Sequence, residues 1–216
     1  MDALVFTQIE KSFSPGVKIL DGLSASIPLA GLCFVIGKSG SGKSVLCRLA
    51  VGLLKPEAGT VELAAERIDT LPERKLQAVR SRVPYLVQGP ALLDWLSLEE
   101  NVALASKGRR DDARVKAAIN RVGLTEFASR FPPQVGPGIK KRTAIARALV
   151  LQPRYLLLDE PTTGLDREAA GQVNDTLELL KKQGLGAMVV SHDYKAVDRL
   201  ADTVLVVDAG KASFRS

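Results

Sequence analysis

The sequence predicts an α/β fold, a mostly parallel sheet with flanking helices, into which a helical lobe is inserted. Three observations carry this. Strand-like apolar runs alternate with helix-like segments along much of the chain. Several of those runs are apolar without a break, as in strands covered on both faces. From about Gly89 to Leu151 the strand pattern stops and mostly helical spacing is left. A length of 216 residues suits one sizeable core, or a core with a smaller lobe attached.

The elements follow in chain order. "LVFTQI" opens an N-terminal antiparallel β part, and "GLCFVIG" is an apolar strand that runs into a glycine-rich turn. Behind the turn, "VLCRLAVGLL" has amphipathic helical spacing; "GTVELA" and "VPYLVQ" then read as strands. Helices are expected over "SLEENVALAS", "DDARVKAAINRVG" and "KKRTAIARALVL", with the cluster "RFPPQVGPG" interrupting them. "RYLLLDE", "GAMVVSH" and "DTVLVVD" return to the strand pattern. An insertion fits this better than two tandem domains: residues 1–88 and 152–216 form the core, and 89–151 a helical subdomain. The chain stops soon after "VVDAGKASFRS", so no appended regulatory domain is expected.

Composition narrows the classes. Hydrophobic residues make up 46% and charged residues 25%, the balance of an ordinary folded soluble protein. No mainly apolar run reaches the roughly 18 residues of a membrane-spanning helix. "MDALVFTQIEKSF", with an acid at its second position, does not read as a secretory leader. Cys33 and Cys47 lie in apolar surroundings without metal-ligand spacing and read as reduced, buried thiols of a cytosolic protein. A net charge of +6 permits phosphate, nucleic-acid or anionic-membrane partners and selects none of them. Aromatics are 5% of the chain and are not interleaved with the basic clusters "KGRR" and "KKR". A nucleic-acid partner is therefore not expected.

The glycine-rich turn carries the chemistry. Gly37-Lys38-Ser39-Gly40-Ser41-Gly42-Lys43-Ser44 matches G-x-x-x-x-G-K-[ST]. Glycines let the backbone aim successive N–H groups at phosphate oxygens. Lys43 supplies charge to the terminal phosphates, Ser44 a hydroxyl for Mg²⁺, and the helix continuing through Val45 the positive end of its dipole. A nucleoside triphosphate site also needs a carboxylate element, and "RYLLLDEP" presents Asp159 and Glu160 at a strand's carboxyl end. Asp159 would hold Mg²⁺, and Glu160 would polarise the attacking water as general base. His192, the sole histidine, and Gln88 end two other strands. The first is placed to reach the γ-phosphate, the second to touch metal or water.

Together these motifs resemble ATP-binding cassette ATPases, the motor subunits of ABC transporters, over essentially the whole chain. The likeness rests on "GKSGSGKS" as Walker A, Gln88 as Q-loop, "YLLLDEP" as Walker B, "TTGLD" with Asp166 as D-loop, and "VVSHD" with His192 as switch histidine. It implies a P-loop NTPase core, ATP and Mg²⁺ as cofactors, and hydrolysis by Glu160, His192 and Lys43. It places the adenine-stacking aromatic at Phe13. It also implies a second cassette as partner, a membrane permease gripped through the 89–100 region with Trp95, and a peripheral place on the cytoplasmic face of the inner membrane. A GTPase is disfavoured, because no N-K-x-D occurs.

One element departs from the resemblance. The family's L-S-G-G-Q signature caps the γ-phosphate bound to the opposite subunit. Here Val135-Gly136-Pro137-Gly138-Ile139 stands in its place. Gly136 has no hydroxyl to donate and Pro137 no N–H, while Gly138 keeps one amide. The expectation is a homodimer with two impaired sites, relieved by pairing with a cassette of intact signature; the alternative is a repacked loop in which Gly138 suffices. "GKSVLCRLAVGLLKPEAGTVE" and the "FPPQ" and "KKR" that flank 135–139 are similar to cassettes of the Mla and Mce type. Phospholipid transport between bacterial membranes is the cargo this implies. Amino-acid or lipoprotein systems, and a cassette that holds ATP with little turnover, are the alternatives.

Overall fold

The computed structural model describes residues 2–14, 16–110 and 112–215. The chain opens with β1 (Ala3–Ser14) and β2 (Val17–Pro28), then β3 (Leu32–Ile36), α1 (Lys43–Ala50), β4 (Ala58–Leu63) and β5 (Glu66–Arg67). Next come α2 (Glu73–Arg82), β6 (Tyr85–Leu86), α3 (Leu98–Ala103), α4 (Ala113–Arg121) and α5 (Pro137–Leu149). Then follow β7 (Tyr155–Asp159), α6 (Arg167–Lys182), β8 (Gly186–Val190), α7 (Tyr194–Leu200), β9 (Thr203–Asp208) and β10 (Lys211–Phe214). An antiparallel sheet is ordered β2-β1-β4-β5. The larger sheet is ordered β10-β9-β3-β8-β7-β6 and is parallel except for β10 at its edge.

Every residue of β3, β7 and β8 is buried, and alternate side chains enter opposite cores. Cys33, Val35, Leu157, Met188 and Val190 pack with the antiparallel sheet, α1 and α2. Leu32, Phe34, Leu156, Leu158 and Val189 pack with the helices α3 to α7. Both faces exclude water, so these strands carry no polar alternation and read as continuous apolar runs. The segment 89–151 holds α3, α4 and α5, and their apolar faces join the second of these cores.

Helix starts follow from side-chain caps. At α3, Ser97 Oγ accepts from the Glu100 N–H at 3.2 Å, and the Glu100 carboxylate accepts from the Ser97 N–H at 2.7 Å. Asp112, Asp166 and Asp193 accept first-turn amides of α4, α6 and α7. Helix α5 starts differently, on uncapped Gly136 with Pro137 at the first helical position.

Six elements escape the sequence patterns: β2, β5, β10, α2, α6 and α7. The buried residues of β2 include Leu20, Leu23 and Ile27, whose spacing is helix-like. Gly22, at φ +68°, is inserted between Leu23, which pairs with Ile9, and Asp21, which pairs with Glu10, and that insertion breaks the period of two. The run "VPYLVQ" is strand only at Tyr85–Leu86, so Gln88 lies in the loop beyond β6 and does not end the strand itself. Cys33 and Cys47 are free and buried, as expected; burial pushes the Cys33 thiol up to about 11 and raises Cys47 well above the ordinary thiol range, keeping both protonated.

Candidate nucleotide site

Between β3 and α1 the chain turns through Gly37–Gly42. Gly37 adopts φ +150°, and a Cβ there would lie 2.1 Å from the Val207 carbonyl oxygen. Gly42 adopts φ +100°, and a Cβ there would lie 2.6 Å from Leu20. Neither position admits a side chain, which explains glycine at the first and sixth places of the motif. Lys43, the first residue of α1, is buried, and its Nζ donates to the carbonyls of Gly37 at 2.9 Å and Lys38 at 2.8 Å. Burial lowers its pKa, while the charges of Glu160 and Asp159 pull the other way. Ser41 Oγ is buried in the loop without a hydrogen-bond partner.

The acidic strand meets this loop from the side. Asp159 is buried at the end of β7 and accepts from Ser44 Oγ at 2.9 Å and from the Tyr85 hydroxyl at 2.8 Å. Glu160 follows at φ +53°, a left-handed conformation uncommon for a non-glycine residue. Its N–H donates to Val190 O at 2.9 Å, so β8 holds the turn. One Glu160 carboxylate oxygen lies 2.9 Å from His192 Nε2, and the other accepts from Thr163 Oγ1. Because β7 and β8 are parallel neighbours, the residues just past their carboxyl ends meet.

A cavity of about 460 Å³ is lined by Ser39, Gly40, Gly42, Lys43, Ser44 and Val45 from the loop and α1. Gln88, Glu160, His192 and Phe13 complete the predicted part of its wall. Phe13 is 58% exposed, with Lys11 Nζ 5.8 Å from its ring centre, so it is not a core residue. Gly136, Gly138 and Asp166 do not line this cavity. Asp166 caps α6, accepting from the Ala169 N–H at 2.8 Å, and Gly138 is pressed against the same turn of α6.

Ile19, Thr163, Tyr85 and Lys141 also belong to the site, though no sequence motif assigns them to it. Thr163 sits within "EPTTGLD", three residues after Glu160, and that spacing was the available signal. Tyr85 and Lys141 reach the site only through the pairing of β6 with β7 and the seat of α5, and no local pattern marks them.

These residues fit a magnesium nucleotide. The glycine cradle, the partnerless Ser41 hydroxyl and the buried ammonium suit phosphate oxygens. Among the described residues no group of three or more His, Cys, Asp or Glu forms a metal cage. Mg²⁺ commonly takes one or two protein oxygens and completes its shell with phosphates and water, and Ser44 with Asp159 would hold it that way. Bound there, it would neutralise phosphate charge.

The loop, the acidic pair and the histidine cluster at the carboxyl ends of β3, β7 and β8, where open α/β sheets bind ligands, and so define a P-loop nucleotide-binding domain. The ABC transporter family pattern matches residues 20–163, and the chain belongs to that family. It is 37% identical to the methionine import ATP-binding protein MetN of Caulobacter vibrioides, covering 96% of this chain and 65% of that protein. It is also 37% identical to the aliphatic sulfonates import ATP-binding protein SsuB 1 of Mesorhizobium japonicum, covering 97% of this chain and 77% of that one. Against the MetN of Mesorhizobium japonicum the chain spans about half the relative's length, 54%. Among solved structures, cbiO1 from Clostridium perfringens, part of the ABC transporter complex cbiONQ, superposes with a TM-score of 0.89 at 27% identity, covering 99% of this chain and 88% of that one. The ATP-binding cassette MJ0796, dimeric in a post-hydrolysis state with ADP and Pi, gives 0.86 at 25% identity over 99% of both chains. The α/β fold is that of solved ABC cassettes.

Proposed function

We propose that this chain is the ATP-hydrolysing cassette of an ABC transporter that imports a small polar solute. The observation that carries the proposal is one cavity that gathers Lys43, Ser44, Glu160 and His192, with Asp159 bonded to Ser44 at its base. Lys43 and the loop amides hold the phosphates, and Ser44 and Asp159 the metal. Glu160, its carboxylate held by His192 and Thr163, accepts the proton of the attacking water. The phosphate-binding step is read by titration calorimetry: saturable Mg-ATP uptake by the wild-type chain, weakened at least about tenfold by Lys43→Ala. No uptake by well-folded protein would overturn the proposal.

A second cassette is the expected partner. Gly136, Gly138 and Asp166 lie off the chain's own cavity, as befits residues offered to a neighbour's nucleotide, and the solved cassette bound to ADP and Pi is dimeric. The methionine and sulfonate import named for two relatives supports the amino-acid alternative over the phospholipid reading. No described helix is long and apolar enough to cross a membrane. In this reading a permease supplies the span, and the chain sits peripherally on its cytoplasmic face.

Trp95 is the proposed permease anchor. It is 72% exposed rather than part of the lobe core. Its turn is held rigid by Asn101, fully buried, whose Nδ2 donates to the carbonyls of Leu93 at 3.0 Å, Leu96 at 3.1 Å and Ser97 at 3.0 Å. Asn101 Oδ1 accepts from the Leu93 N–H at 2.8 Å. A rigid exposed tryptophan is the usual form of an interface hot spot, contributing about 2 kcal/mol or more. Trp95→Ala should therefore weaken permease association roughly 30-fold in a pull-down titration while ATP affinity stays within about twofold. Equal losses of both would count against it.

A further inference from the structure

The loop after β6 has two faces. Gln88 lies on the wall of the nucleotide cavity, whereas Val87, Gly89, Pro90 and Ala91 line a separate depression of about 270 Å³ on the side of the lobe. One stretch of backbone thus forms part of both walls, and two basic side chains of α5 hold it. Lys141 Nζ donates to the Gln88 carbonyl and, at 3.3 Å, to the Glu160 carbonyl. Arg147, further along the same helix, donates to the carbonyls of Ala91 at 2.7 Å and Pro90 at 3.0 Å. All four acceptors are main-chain oxygens, so the contacts set where the backbone lies whatever side chains it carries. Hydrogen bonds from charged donors are about twice as strong as neutral ones.

Glu160 gains most from this arrangement. Its left-handed backbone is pinned on both sides, by its N–H to Val190 O and by its carbonyl from Lys141. We propose that Lys141 and Arg147 form a clamp on residues 88–91, with Lys141 as the positioning residue that sets Gln88 and Glu160 for hydrolysis. Through the clamp, a movement of α5 or of the depression's wall displaces both site residues together. This rests on the roles given to Gln88 and Glu160 in the proposed function, and its test separates the two.

The full-length chain is compared with Lys141→Met and Lys141→Arg by steady-state ATPase kinetics and by hydrogen exchange at the amides of residues 87–92. Lys141→Met should lower kcat about tenfold or more, leave KM for ATP within about twofold, and speed exchange in 87–92 about tenfold. Lys141→Arg, which keeps the charged donor, should recover kcat to within about threefold. A kcat change below twofold, a KM rising in proportion to the loss, or unaltered exchange would overturn the clamp. Should Lys141→Met not fold, Lys141→Gln is read by the same criteria. A well-folded wild-type chain that takes up no Mg-ATP would sink the proposed function, while the exchange comparison would still decide the clamp.

Discussion

Returning a hydroxyl and a backbone N–H to the head of α5, through Gly136→Ser combined with Pro137→Gly, should raise ATP turnover of the purified chain about 10- to 100-fold. Each hydrogen bond to a charged group contributes roughly 1.5–3 kcal/mol, and about 1.4 kcal/mol is a factor of ten, so one fully effective bond of the two accounts for that rise. Pro137 occupies the first helical position, where an N–H has no acceptor within the helix and is free for a ligand. Proline suits that position as structure, so the helix forms and only the donor is lost. Serine at 136 is itself a favoured helix cap, and the double variant should not destabilise the fold. Gly138 must be retained in this experiment, because a Cβ there would lie 2.9 Å from Ala169 Cβ. The measurement is steady-state turnover at saturating Mg-ATP. An unchanged rate would mean that the Gly138 amide and the helix dipole suffice, and that the altered signature carries no penalty. A restored rate would imply that the native chain works best beside a cassette with an intact signature.

Glu160→Gln should lower turnover about 100- to 10,000-fold, the range that a positioned general base contributes. Mg-ATP affinity should stay within about threefold. The amide matches the carboxylate in size and still accepts from Thr163, but it cannot take a proton from water. Its backbone stays pinned by Val190 and Lys141, so the turn after β7 keeps its shape. Rapid-quench turnover and nucleotide titration on the same preparation separate chemistry from binding. A fall of less than tenfold would remove Glu160 from the role of base. A parallel collapse of affinity would make it a structural residue of the site.

Two features of the site were read differently by sequence and by structure. The apolar run "VPYLV" places Gln88 at a strand end, yet β6 spans only Tyr85–Leu86 and the chain after it leaves the sheet, with Gln88 on the wall of the cavity. Trp95 lies in an apolar stretch whose residue types suit a lobe core as well as an exposed contact, and burial alone decides between them: the ring is out in solvent on a turn pinned by Asn101. In both places apolar character was plain but its neighbours were not, and periodicity is silent about neighbours.

What the amino-acid order determined by itself is local. The bend through Gly37–Gly42 and the helix start at Lys43 depend on backbone freedom within eight consecutive residues, so they are written in those residues. The doubly buried strands β3, β7 and β8 are legible for a related reason: shielding on both faces removes polar residues from the run itself. Only the tertiary structure decided which groups meet. Tyr85 reaches Asp159 across 74 residues of sequence, and Lys141 reaches Gln88 across 53 and Glu160 across 19. Such contacts follow from strand order and from the seat of α5, which the whole core sets through packing, and no short stretch of chain carries that information.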